Sequence, residues 1–256
     1  MLRLTDEQWE LLRNHFPEEP IPDDRPGRKP IPAQKPLGAV LWVLDTGTQW
    51  HMLPKSYQNH KTVHRRFQHR CESEVIRAAL SELANVLHEV GSIDESECYI
   101  DATLPSAMGG GEEIGPTHRG KGVNITAIFD RHALPLAVTT HAANHLEATL
   151  VQLTFDFYMI EAKPENLIGD KAYDSDELDE VMRAQGADMI SLQRSNKKHK
   201  TQDGRRLRRN ERRWIVERFF AWIQQQRGLL VRWGYYPTIF LGFVQPAALC
   251  ILLKRF

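Results

Sequence analysis

VNITAIFDRHALPLAVTT, residues 123–140, is the stretch that decides the fold class. Val123–Asp130 and Leu134–Thr140 are β-branched and aliphatic runs of strand composition. Only Arg131, His132 and Ala133 separate them, far too few for a crossover helix, so the pair forms an antiparallel hairpin. Upstream, CYIDATL (98–104) has the same composition and supplies another strand. Downstream the pattern alternates: a helix over 144–158, strand NLIGD (166–170), a helix over 175–185, strand ADMISL (187–192) and a long helix over about 207–227. Hairpin-connected strands followed by strand–helix alternation predict an α/β mixed sheet with flanking helices. The Gly109-Gly110-Gly111 run reads as a mobile loop between the first two strands.

The first ninety residues read as helical. Thr5 and Gln8 form a capping box ahead of Trp9, Leu11, Leu12 and Phe16. Seven of the 14 prolines then fall between Pro17 and Pro36, which predicts an extended linker over 17–36. LGAVLWVLD (37–45) is a short apolar helix that the Thr46-Gly47 turn closes. HKTVHRRFQHR (60–70) places Val63 and Phe67 on one face and Arg65, Arg66 and Arg70 around it. A further helix over 74–90 carries Val75, Ile76, Leu80, Leu83 and Leu87 at helical spacing. This divides the chain into a small all-α N-terminal domain, 1–92, and an α/β domain, 93–256. Lys55–Arg70 holds five basic and no acidic residues. It suits either a DNA-contacting helix in a helix-turn-helix-like head or a solvated amphipathic helix.

With 41% hydrophobic and 26% charged residues, the 256-residue chain is expected to fold rather than stay disordered. Cys71, Cys98 and Cys250 have no metal-finger spacing and suggest no disulfide framework. The charged N-terminal MLRLTDEQWE argues against a secretory signal. Tyr235–Leu253 has the length of a membrane span but contains Gly242, Gln245 and Pro246, and a buried strand or helix is the preferred reading. A cytoplasmic protein without a membrane partner is expected. Formal net charge is zero, yet Arg194–Phe256 holds 15 basic and 3 acidic residues, leaving 18 basic and 30 acidic in the rest. The zero is a cancellation between a +12 tail and a −12 remainder.

Three carboxylates stand out: Asp101 inside an apolar strand, Asp170 at a strand end opening GDKAYDSD, and Glu217 within RRWIVERFFAWI. Each alone could be an ordinary solvated carboxylate or helix cap. Adjacent strands could bring Asp101 and Asp170 together, and a helix across the sheet could add Glu217. Converging carboxylates suit hard divalent cations, magnesium or manganese, and a pair of ions would serve phosphodiester exchange. Lys197, Lys198, Lys200, Arg205, Arg206, Arg208, Arg209, Arg212 and Arg213 lie in a strongly one-signed run leading into the Glu217 helix. With Arg65 and Arg66, they are the expected DNA contacts. Arg213, Glu217 and Gln224 share one helix face, while Ile215, Phe219, Trp222 and Ile223 form the opposing, core-facing stripe.

LTDEQWELL, TGTQWHMLPKSYQNHKTVHRRFQ, GPTHRGKGVNITAIFDRHALPLAV, LIGDKAYDSDELDE and RRWIVERFFAWIQQQRGLLVRW resemble, in this order and nearly end to end, bacterial DDE-type insertion-sequence transposases of the insertion sequence five group. The resemblance implies an RNase H-like core with Asp101, Asp170 and Glu217 as its metal-binding triad. It implies that an activated water cuts the transposon ends, after which the freed 3′-hydroxyl joins target DNA. Synapsis of two ends implies a homo-oligomer, in the bacterial cytosol at the nucleoid. The family's closing motif commonly has a tyrosine and a lysine where this chain has Asn210 and Gln224, which bears on end recognition. A nuclease on the same fold without strand transfer, or a catalytically silent DNA-binding regulator, are the alternatives. DNA affinity is expected to fall steeply with added salt, as a local basic face dictates, although the pI is about 7.2; a salt titration of binding checks this.

Overall fold

The hairpin forms where the sequence places it, and the sheet is built outward from it. The computed structural model describes residues 3–17, 31–118, 120–145, 147–191 and 214–256. Strand β1 (Cys98–Thr103) is followed by two short strands, β2 (Ser106–Ala107) and β3 (Gly115–Thr117), and by the long β4 (Gly120–Asp130) and β5 (Pro135–Ala142). Strands β6 (Asn166–Ile168), β7 (Asp188–Ile190) and β8 (Val231–Arg232) complete it. β4 pairs antiparallel with β5 and with β1, while β1, β6 and β7 run parallel to one another. The near end of β4 also pairs with β2 and β3, and β2 pairs parallel with β8. This is the RNase H-like mixed sheet with flanking helices that was expected. β4 is buried from Gly122's successor Val123 to Asp130, which explains its nearly continuous apolar run.

The β4–β5 turn has a polar keystone. Asp130 is fully buried, and its carboxylate accepts hydrogen bonds from the His132 and Leu134 N–H groups at 2.8 Å and from Asp94 N–H at 3.2 Å. Burial pushes its carboxyl above the ordinary range, against the three backbone donors that pull it down. Ala133 completes the turn in the left-handed region, at φ 63°.

The helical head consists of α1 (Asp6–Leu12), α2 (Gln34–Thr46), α3 (His60–Glu72) and α4 (Val75–Glu89). The Thr5–Gln8 capping box is present. One expectation is corrected: the extended linker does not reach residue 36, because α2 already begins at Gln34. Pro36 sits in the first helical turn, where a missing N–H costs no intrahelical bond. Gly47 ends α2 at φ 65°. Residues 18–30 of the expected linker lie outside the described residues.

Helices α5 (Glu147–Phe155), α6 (Asp176–Ala184) and α7 (Trp214–Gln224) flank the sheet, and α8 (Pro237–Leu252) closes the chain. The 207–213 part of the expected long helix lies outside the described residues. Pro237–Arg255 is apolar and long enough to cross a membrane, but 67% of that window is buried inside the fold. α8 packs on α3, α4 and β5, joining head and sheet in one continuous core. Gly242 makes this possible: a Cβ there would meet Cys71 Sγ of α3. The Phe67 and Phe243 rings pack alongside, tilted by 44° with centroids 4.7 Å apart.

Truncating Asp130 to alanine would strand three backbone N–H donors, that of Leu134 fully buried. A loss of about 2–4 kcal/mol is expected, read as a lower urea midpoint with unchanged slope.

Candidate active site

Side-chain alternation along β1 sets the site. Tyr99, Asp101 and Thr103 lie on one face of the strand, and α7 lies against it. At one end Tyr99 stacks on Phe129 at 6.2 Å, and Phe129 stacks on Phe219 of α7 at 4.6 Å. At the other, Gln224 Nε2 donates to Thr103 Oγ1 at 3.2 Å. Asp101 falls between these two ties. Cross-strand from it is Ala127, whose small side chain leaves space beside the carboxylate. Asp101 is half-buried and its Oδ1 accepts the Ala102 N–H at 2.8 Å.

Asp170 is delivered by the neighbouring strand. β1 and β6 pair in parallel with Cys98 opposite Leu167 and Tyr99 opposite Ile168. Asp101 and Asp170 each lie two residues beyond the last of these pairs, Asp101 within β1 and Asp170 just past the carboxyl end of β6, on strands about 4.8 Å apart. Asp170 caps a single 3-10 turn, Lys171–Tyr173, with its Oδ1 accepting the Ala172 N–H at 2.8 Å. The preceding Gly169 is required by contact: a Cβ there would come within 2.9 Å of Tyr173 Cγ and 2.7 Å of Met189 Cε. Tyr173 is fully buried, so the residue that carries Asp170 rests on a packed ring.

Glu217 is exposed near the start of α7. The helix buries Ile215, Val216, Phe219, Phe220 and Ile223. Trp222, expected in that stripe, is only half-buried, with Arg218 and Lys254 over its ring at 5.5 and 5.6 Å. The donors are carboxylates throughout, which suits a hard divalent cation in kind. Asp101 within β1 and Asp170 just past β6 come to neighbouring backbone positions, whereas Glu217 is exposed on α7. Among the described residues no group of three or more His, Cys, Asp or Glu side chains is gathered closely enough to hold a metal ion.

Of the expected DNA contacts, Arg65 is exposed on α3. Arg66 turns inward and donates to the Ile31 carbonyl at 2.8 Å. Its neighbour Arg70 lies over the Phe16 ring at 4.7 Å, and burial lowers its guanidinium to about 10. Lys197, Lys198, Lys200, Arg205, Arg206, Arg208, Arg209, Arg212 and Arg213 lie outside the described residues, as does Asn210.

Arg232 was missed in the sequence. Its side chain is 1% exposed and donates to four carbonyls: Glu112 at 2.8 Å, Glu113 at 3.2 Å, Gly234 at 3.1 Å and Tyr235 at 2.7 Å. These bonds correct the reading of the glycine run as a mobile loop, since they hold it against β8. A Cβ on Gly109 or Gly111 would come 2.3 Å from the carbonyl oxygen of Trp233 or Tyr235, respectively. Glycine is there for close backbone approach, and only the glycine run itself signalled it.

Comparison with known proteins gives the family. The family model described as "Transposase DDE domain" matches residues 93–241, more than half of the chain. A second, "Putative transposase of IS4/5 family", matches residues 4–80. A Burkholderia cepacia protein, "Insertion element IS402 uncharacterized 16.2 kDa protein", is 29% identical over 117 residues, which are 44% of this chain and 80% of that protein. Among solved structures, the piggyBac transposase synaptic complex with hairpin DNA aligns at TM-score 0.39 and 10% identity, over 70% of this chain and 46% of that one. The Mos1 strand transfer complex aligns at 0.29 and 9%, over 80% and 78%. The chain thus spans less than half of the piggyBac protein, and no residue is equated with those of either structure.

Gly169→Ala forces a methyl group into the Tyr173 ring. It is expected to destabilise the fold by about 1–3 kcal/mol, seen as a lower melting temperature, whereas alanine at the open, exposed Gly234 leaves it unchanged.

Proposed function

The chain belongs to the transposases with a DDE domain, and from that premise we propose that it cuts the ends of its transposon and joins the freed 3′-hydroxyl to target DNA. The observation that carries this reading is the pairing of β1 with β6, which sets Asp101 and Asp170 at equal offsets from the Tyr99–Ile168 pair. Asp101, Asp170 and Glu217 would hold magnesium or manganese, two ions in all, whose chemistry is to activate an attacking oxygen and stabilise a leaving one. The Ala102 and Ala172 N–H groups orient the two aspartates, each through one carboxylate oxygen.

The basic side chains provide the rest. Arg65 and the lysines and arginines from Lys197 to Arg213 would bind the DNA backbone and keep it over the carboxylates, whereas Arg66 donates instead to the Ile31 carbonyl. The head, 1–92, would serve as the DNA-binding and accessory domain, and 93–256 as the catalytic one. Pairing two transposon ends calls for at least two copies of the chain, working on DNA in the bacterial cytosol.

The test uses the full chain, magnesium and labelled DNA ending in the inverted repeats that flank its gene. The wild type is expected to give cut ends and joined product. Asp101→Asn and Asp170→Asn should each lower both by at least about a hundredfold while retaining DNA binding, since each removes charge stabilisation worth several kcal/mol. Cut ends without joined product would indicate a nuclease, and identical products from wild type and Asp170→Asn would sink the assignment.

A further inference from the structure

Between the helical head and the C-terminal segment lies a cleft of about 480 Å³. Trp50, Phe243 and Trp233 give it aromatic walls, and Thr48, Gln49 and His64 supply its polar groups. We propose that this cleft binds one unpaired nucleobase of the DNA on which the protein acts, stacked on Trp233 and met at its edge by Gln49 and His64. The proposal rests on the transposase reading above.

The walls are set before any ligand arrives. The Trp50 ring is wedged between His64 at 4.9 Å, Phe67 at 5.6 Å and Phe243 at 5.9 Å. The two sides of the cleft meet backbone to backbone. A Cβ on Gly47 would lie 2.9 Å from Arg227 Cβ, and one on Gly228 would lie 3.0 Å from the Leu44 carbonyl oxygen. Their separation is therefore fixed by close contact rather than by flexible side chains. Trp233 stands at the lip, 69% exposed, although its neighbour Arg232 is buried and anchored. A rigid backbone presenting a bare indole favours stacking on a planar partner.

The chemistry narrows the occupant. Aromatic walls with an amide, a hydroxyl and an imidazole, and no carboxylate in the lining, suit a flat, neutral heterocycle with a hydrogen-bonding edge. The surroundings call for attached negative charge: His64 belongs to α3, which also presents exposed Lys61 and Arg65, and Arg227 is exposed beside Gly228. A base on a phosphodiester chain meets both conditions. It must be unpaired, because a base within a duplex has both faces covered by its neighbours. The cleft is also coupled to the catalytic strand. β2 follows β1 directly and pairs with β8, with Ser106 opposite Val231, and Met108 N–H donates to the Arg232 carbonyl at 3.1 Å. The lip carrying Trp233 is thereby tied to the strand that carries Asp101.

The test measures binding of the full chain to two end-labelled DNAs, a fully paired duplex and the same duplex with one bulged thymine, by fluorescence anisotropy. The wild type is expected to prefer the bulged duplex by about tenfold, the order one base–aromatic stack supplies. Trp233→Ala should abolish the preference while leaving affinity for the paired duplex and the melting temperature unchanged, and Trp233→Phe should restore most of it. Equal binding of both DNAs by the wild type, or an undiminished preference in Trp233→Ala, overturns the cleft assignment and leaves the transposase reading standing. Failure to bind either DNA overturns both.

Discussion

The parallel pairing of β1 with β6 governs the candidate site. One short ladder of two residue pairs aligns Tyr99 with Ile168, and from that alignment Asp101 and Asp170 follow by count. A slip of one residue in β1 would turn Asp101 to the opposite face of the sheet, among apolar side chains. The register is protected on both sides. β4 pairs with β1 over six residues, Cys98 to Thr103, and β7 pairs with β6. Tyr99, Phe129 and Phe219 then stack through the sheet into α7, so the helix bearing Glu217 is aligned by the same strand.

A second constraint joins parts of the chain that are far apart in sequence. Arg232 lies more than a hundred residues from Glu112 and Glu113, yet its guanidinium bonds to both of their carbonyls. A buried guanidinium is costly unless its donors are satisfied, so the loop and the 231–235 segment hold it and it holds them. Glycine recurs wherever the backbone must come this close: Gly47 and Gly228 between α2 and the C-terminal segment, Gly109 and Gly111 beneath Trp233 and Tyr235, Gly242 against α3. The head, the sheet and the last helix consequently share one core.

Much of this was legible in the sequence because it is local. The hairpin at Arg131–Ala133, the capping box at Thr5 and the amphipathic α3 and α4 depend on neighbours a few residues away, and all appear at or near their expected positions. Where the reading failed, a rule of thumb met its exception. Pro36 looked like a linker residue because prolines precede it, yet a proline in the first helical turn lacks only a hydrogen bond that would not have formed. Gly109–Gly111 looked loose because glycine permits freedom, whereas here it permits contact. Trp222 fitted the buried stripe by spacing, but it sits at the margin of the face that Ile215, Val216, Phe219, Phe220 and Ile223 bury and stays half-exposed.

The sequence by itself determined the fold class and the helical head, because strand composition and helical periodicity are properties of contiguous residues. It also determined that the zero net charge conceals a basic tail. Only the tertiary structure decided that Asp101 and Asp170 share a register, that Glu217 faces solvent, and that Arg232 anchors a loop far away in the chain. It alone made a cleft from Trp50, His64 and Trp233. Register, guanidinium partners and aromatic walls are relations between distant segments, and no window along the chain contains both members of such a pair.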